Sequence, residues 1–266
     1  MRRTQQYYFP FSSVGYSRFN NTDSDVGILS SVSGVDCAFV AKEIIMKKRS
    51  KLLFCVLTVA FALLVLTGAI ATVLLLSRPF YAIHLKVLNL SEGTPWTENE
   101  ILCAFDEMIS FCLLGTPFGT GVLRWSESGK SHFADCAKLF RIDFAVLSVS
   151  LLILIMCLIL RKKNIVPARP LGRGCTFWGG ILLSVSFAVI AILAASDFDA
   201  AFVIFHKIFF PGKENWLFDY NTDEIIRVLP QVFFRNCAIA IVVLILLGCT
   251  ALIVYDFLRY RKKKNK

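Results

Sequence analysis

Two histidines carry the chemistry this chain can do at a carbonyl group. His132 lies in the run SESGKSHFADCAKLF, and His206 lies in DFDAAFVIFHKIFFPGKENWLFD. An imidazole exchanges protons near neutrality. Burying one among Phe202, Phe205, Phe209 and Phe210 costs free energy unless something makes use of it. Two imidazoles from separate segments suit attack of a nucleophile on a lipid-borne ester: one ring takes a proton while the other donates to the developing oxyanion. Each has a carboxylate at helical spacing, Asp135 three residues after His132 and Asp199 seven before His206. Asp135 is expected to fix the tautomer of His132 and raise its basicity, and Asp199 to do the same for His206. The plainer reading of either carboxylate is a charge on a helix surface.

Other residues weigh less. A single histidine at a membrane surface is ordinarily structural or solvated, and His84, without a carboxylate partner, is read as solvated. Cys136, four residues after His132, is read as a packed thiol before a nucleophile. Arg124 and Trp216 are candidates for substrate or headgroup contact, Trp216 and Phe218 as interfacial anchors. Asp219 joins them as a candidate contact, although a loop brace is its first reading. Lys130, Lys207 and Arg227 could also hold phosphate or polar headgroups, with solvated charges as the default reading.

Four apolar runs must position these groups: Leu52–Leu76, Ile142–Leu160, Cys175–Ala195 and Cys237–Tyr255. Each approaches the ~20 residues that cross a hydrocarbon core as a helix. With 56% hydrophobic and 18% charged residues, the composition excludes an ordinary soluble domain. The expected fold is an all-α integral membrane protein with four transmembrane helices and two outward-facing, largely helical loops, 78–141 and 196–236. Basic residues cluster before the first span (Lys47, Lys48, Arg49, Lys51), between the second and third (Arg161, Lys162, Lys163, Arg169, Arg173) and after the fourth (Arg259 to Lys266). The positive-inside rule then puts both termini in the cytoplasm. The net charge of +10 reflects this asymmetry and is no nucleic-acid footprint.

Residues 1–45, polar and without a helical apolar stripe, are expected to form a disordered cytoplasmic tail. Met46 followed by KKRSKLLFCVLTVAF has the pattern of a start, which would make the tail dispensable. The membrane domain is 46–258, and 259–266 is a basic tail. In the first outer loop, Tyr81 to Leu85 reads as a short extended piece. Thr97 with Glu100 is a capping-box pattern opening the helix ENEILCAFDEMISFCL. Ser126 or Ser128 caps the helix bearing His132, which runs into the second span. The embedded GKS is no phosphate loop, because Arg124 stands where its first glycine belongs. Phe198, Phe202, Phe205 and Phe209 are expected to prolong the third helix, and Pro211-Gly212 to end it. Asn221 or Thr222 caps a short helix, 223–229. Continuous helices would lift both histidines about 15 Å beyond their spans, to one level. Cys103, Cys112 and Cys136 leave room for one disulfide in the outer loop. No Cys/His spacing supports a metal site.

SHFADCAKLF, FHKIFFPGKENWLFD and DEIIRVLPQVFF together resemble a bacterial four-span family that includes lipoprotein intramolecular transacylase. The resemblance covers about residues 46–258. This family more often shows His-Met-x-Asp-Val where this chain has Phe133 and Cys136, while His132 and Asp135 are retained. The resemblance implies transfer of the sn-2 acyl chain of a diacylglyceryl group to the α-amino group of the same N-terminal cysteine, leaving a lyso-form lipoprotein. The partners implied are diacylglyceryl-modified bacterial lipoproteins and membrane phospholipid. The location is the plasma membrane, with the site on its extracytoplasmic face. No cofactor is needed, because nucleophile and ester belong to one molecule. On this reading His132 takes the amine proton and returns it to the glycerol alkoxide, while His206 stabilises the oxyanion. A lipid-ester hydrolase using water, and a non-catalytic membrane scaffold, are the competing readings. The sequence sets no oligomeric state.

Overall fold

A computed structural model describes residues 32–162 and 167–264. It contains helices and turns, with no strand among the described residues. In chain order the helices are α1 (Val32–Leu75), α2 (Ser77–Val87), α3 (Glu98–Leu114), α4 (Glu127–Lys162), α5 (Cys175–Ser196), α6 (Phe198–Phe209), α7 (Ile225–Val228) and α8 (Gln231–Lys264). A single 3₁₀ turn, Pro170–Gly172, precedes α5. The expected disordered tail lies outside the described residues up to 31; from Val32 the chain is already in α1, upstream of the apolar run.

Helices α1, α4, α5 and α8 each contain a stretch long and apolar enough to cross a membrane. Small residues let three of them meet closely. A Cβ at Gly179 of α5 would lie 2.8 Å from the Thr58 carbonyl oxygen of α1, and one at Gly248 of α8 would lie 2.7 Å from Val65. In lipid such close backbone approach supplies the dispersion contact that water cannot drive. Helix α4 is far longer than a span. At ~1.5 Å per residue it runs well past a ~30 Å hydrocarbon core, and Lys130, Lys138 and Arg141 fall in its first half.

The largest core lies beyond the spans, where α2, α3, α7 and the first turns of α4 and α8 meet. Tyr81 stacks on Phe105 at 4.0 Å and donates from its hydroxyl to the Val228 carbonyl at 2.7 Å. Residues 81–85 are therefore helical, contrary to the extended reading. A short apolar run has no periodicity to separate the two, and here Tyr81 and Leu85, one turn apart, both point into the core. The capping box on α3 is present, with Thr97 and Glu100 bonded reciprocally.

Two connections differ from expectation. Helix α5 does not continue through Phe209: Asp197 is extended (φ −154°, ψ 95°) and its side chain accepts from Ala200 N–H at 2.9 Å, starting α6 as a new helix. The short helix α7 begins at Ile225, after turns in which the Asp219 carbonyl accepts from Thr222 and Asp223. Cys103, Cys112 and Cys136 form no disulfide.

Candidate active site

His132 and His206 meet. Their ring centroids are 5.7 Å apart, with planes tilted by 31°. They are contributed by α4 and α6, 74 positions apart in the chain, and expose only 6% and 7% of their surface. Phe210 packs edge-on to His132 at 4.9 Å, Phe218 at 5.5 Å, and Trp216 stacks on His206 at 4.6 Å. Trp216 thus faces the imidazole as well as the surrounding surface, and its indole N–H is held by the Lys213 carbonyl.

The rings are held differently. His206 places Nδ1 2.7 Å from the Phe202 carbonyl, one turn back on its own helix. A carbonyl can only accept, so the proton of neutral His206 sits on Nδ1 and Nε2 keeps its lone pair. Burial lowers the pKa of His206, against the smaller opposing effect of that carbonyl. It is therefore neutral at pH 7. His132 has the Cys136 thiol 3.5 Å from Nε2, while its buried Nδ1 has no hydrogen-bond partner.

The carboxylates stand elsewhere than expected. Asp135 makes no hydrogen bond to His132. Its oxygens accept from Lys138 at 3.0 Å, Lys213 at 2.6 Å and Asn215 at 3.1 Å. Asp199 accepts from Gln231 at 2.7 Å and does not reach His206, whose Nδ1 is already committed to its own helix. Asp199 is drawn off by a residue distant in sequence, and Asp135 by two distant residues together with Lys138 on its own helix.

Of the three candidate contacts, only Trp216 touches a histidine. Arg124 is tied to Glu224 through Nε at 2.8 Å, and its backbone N–H donates to the same carboxylate. This pairing holds the Glu224 carboxyl below its usual range. Asp219 braces its own turn, accepting from Asn221 N–H at 2.9 Å. Ser126 accepts from Gly129 N–H to start α4 and donates to Asp223, so the 219–224 turn clamps the helix that carries His132. Lys213, Asn215, Asp223 and Glu224 were not singled out from sequence. Their only local signal is proximity to the Trp-Leu-Phe-Asp run.

The third histidine is buried as well, at 8% exposure. His84 is not solvated: Nδ1 meets the Phe80 carbonyl at 2.8 Å and Nε2 meets Asn236 Nδ2 at 2.8 Å.

A family model described as lipoprotein intramolecular transacylase Lit matches residues 55–234. The chain belongs to that family. The matched segment contains both histidine arms, the second and third spans in full, most of the first and the start of the fourth. The transacylase fold is shared too. A solved structure of the membrane integral lipoprotein intramolecular transacylase Lit from Bacillus cereus is 26% identical, covering 80% of this chain and 96% of that one, with a TM-score of 0.69. A histidine-to-arginine variant of the same Bacillus cereus protein superposes with a TM-score of 0.67 at 24% identity, over 87% of this chain and all of that one. None of the curated proteins matches. The chain is thus a multi-pass, all-helical membrane protein of a transacylase family, placed among proteins of lipoprotein modification.

Proposed function

We propose that this protein moves the sn-2 acyl chain of a diacylglyceryl-modified bacterial lipoprotein to the α-amino group of the same N-terminal cysteine. The single observation that carries the reading is the pair of buried imidazoles, 5.7 Å apart, delivered by two separate arms. The basic segments at the opposite end favour a cytoplasmic position for that end, and so an extracytoplasmic site in the plasma membrane.

The nucleophile arrives with protons to shed. A free α-amino group has a reference pKa of about 7.7–8.0, so near neutrality much of it is ammonium. Neutral His206 has committed its one N–H to Phe202 and cannot donate to an oxyanion at rest. Its Nε2 can accept the first ammonium proton. The resulting Nε2–H then stabilises the tetrahedral oxyanion. His132 accepts the second nitrogen proton as the C–N bond forms. Collapse breaks the acyl C–O bond, and His206 returns its proton to the glycerol alkoxide. The proton on His132 leaves to solvent. One ammonium and one ester thus give one amide, one alcohol and one proton. A base with a lowered pKa becomes a strong acid once charged, which suits the protonation of an alkoxide. Relative to the expectation from sequence, the proton of the leaving group comes from His206 instead of His132. The aromatic lining (Phe210, Phe218, Trp216) would keep water from the intermediate, so that it ends as amide and not as acid.

Expression of His132→Ala and His206→Ala in a bacterial host lacking this activity, with mass spectrometry of lipoprotein N-termini, tests the reading. Each variant should insert and lose N-acylated lyso product by at least about a hundredfold. Undiminished product from both variants would remove the pair from the reaction. Release of free fatty acid without N-acylation by the unaltered protein would make it a hydrolase.

A further inference from the structure

The Asn215 carboxamide is fixed at both ends by what surrounds it. Its Nδ2 donates to Asp135 at 3.1 Å and to Ser131 Oγ at 3.3 Å. Asp135 is paired with the Lys213 and Lys138 ammonium groups, so it is a carboxylate that can only accept. The amide therefore cannot turn around without setting oxygen against oxygen. Its Oδ1 is left buried, with no hydrogen-bond partner. The His132 ring interacts with this side chain, and Nδ1 of that ring is likewise buried without a partner. These two unmatched buried atoms, one able only to accept, are each costly alone. A proton on Nδ1 resolves both.

We propose that Asn215 is the positioning residue of His132: its Oδ1 accepts Nδ1–H, holding the imidazole in the tautomer whose Nε2 lone pair can take a proton. The link to Asp135 expected of His132 thus runs through a carboxamide. The carboxylate orients Asn215, and Asn215 orients the ring. One four-residue run serves both imidazoles, because Lys213 anchors Asp135, Asn215 sets His132, and Trp216 stacks on His206. Both rings then carry the proton on Nδ1 and offer Nε2, which is the arrangement an ammonium nucleophile with two protons to lose requires. This last step rests on the proposed transacylation; the tautomer does not.

The test uses the full chain, ring-¹⁵N-labelled at histidine, in lipid nanodiscs at pH 8, where neutral rings report their tautomer by nitrogen shift. With three histidines in the chain, His84→Gln and His206→Gln assign the signals by elimination. His132 is expected as the Nδ1–H tautomer. Asn215→Leu, which removes the acceptor, should shift it toward Nε2–H and lower kcat about tenfold or more with little change in KM. Asn215→Asp keeps an acceptor oxygen and should retain Nδ1–H. An Nε2–H tautomer in the unaltered protein overturns the proposal, as does a tautomer unmoved by Asn215→Leu. If Asn215→Leu does not fold, the tautomer of the unaltered protein decides alone. The expected tautomers without N-acylated product would sink the transacylation reading and leave the positioning role standing. Product from a protein whose His132 is Nε2–H would do the reverse.

Discussion

His84 and the His132–His206 pair are three histidines buried to nearly the same degree, at 8%, 6% and 7% exposure. They differ in what their nitrogens have left to give. His84 is saturated: one nitrogen meets a carbonyl and the other meets the Asn236 amide, locking α2 to α8 across 152 positions of chain. Its ring also packs against Phe80 and Phe233 in the same aromatic core. His206 keeps the lone pair of Nε2, and Nε2 of His132 meets only the weak Cys136 thiol donor at 3.5 Å. Burial alone therefore does not mark a reactive histidine. Unspent hydrogen-bonding capacity in a buried ring does, because the protein carries that cost only where something else completes the valence.

The sharpest way to break this contrast is to remove the saturated ring. His84→Ala should strand the Asn236 amide and empty the ring's place in the aromatic core, costing on the order of 1–3 kcal/mol of stability. Thermal unfolding in detergent would read it as a lowered Tm. The folded fraction should still make product at close to the unaltered rate, whereas His132→Ala and His206→Ala abolish product with little change in Tm. A His84→Ala protein that is stable but inactive would erase the distinction between the two regions.

Titration sharpens the contrast at a smaller scale. Burial holds the His206 pKa below its ordinary value. Neutral His206 is the resting form, so the rate should hold from pH 7.5 down through the ordinary histidine value of about 6.5 and fall only below it. Stability follows the same sign. The unfolded chain binds the proton more readily, so stability is full above about pH 6.5 and declines as the pH falls through the folded value. A rate that halves at or above pH 6.5 would show a ring no different from one in solution. Rate profiles on purified protein in mixed micelles would decide it.

How far these regions could be read from sequence depends on the range of the contacts that build them. The four spans, the capping box on α3 and the Ser126 cap on α4 are local patterns of period or spacing, and they were legible. The placing of His132 and His206 on two arms beyond the spans was legible too, but not that their rings face each other, which depends on how two separate arms turn. The break at Asp197 had a signal in Asp-Phe-Asp, but the phenylalanine periodicity continuing across it concealed the new cap. The fate of Asp199 had none, and that of Asp135 only Lys138 one turn along its own helix. Their partners Lys213, Asn215 and Gln231 lie 78, 80 and 32 positions away, and no local spacing announces them. His84 was misread for the same reason: its two acceptor-donor contacts depend on a helix that a five-residue apolar run cannot reveal, and on Asn236 from the far end of the fold.

The smallest expected effect is at Cys136, and it bears on whether His132 works as a base or as the activator of a thiol. The Cys136 Sγ is 3.5 Å from His132 Nε2, within reach of a weak S–H hydrogen bond. A thiol so placed invites a covalent acyl-enzyme route. Two features oppose it. The sulfur sits one turn along the same helix as the ring it touches, half-buried against α4 instead of opposite it across the site. The reaction also needs no intermediate carrier, since amine and ester arrive on one molecule and their proximity already supplies the advantage a covalent step would bring. Cys136→Ala should therefore change the rate by no more than about twofold, with a stability loss of about 1 kcal/mol for the lost packing. Because the thiol occupies the Nε2 that the amine proton is to reach, its removal should if anything ease access to that lone pair. Loss of product on the scale of His132→Ala, together with a trapped thioester in the unaltered protein, would instead make Cys136 the nucleophile and His132 its base.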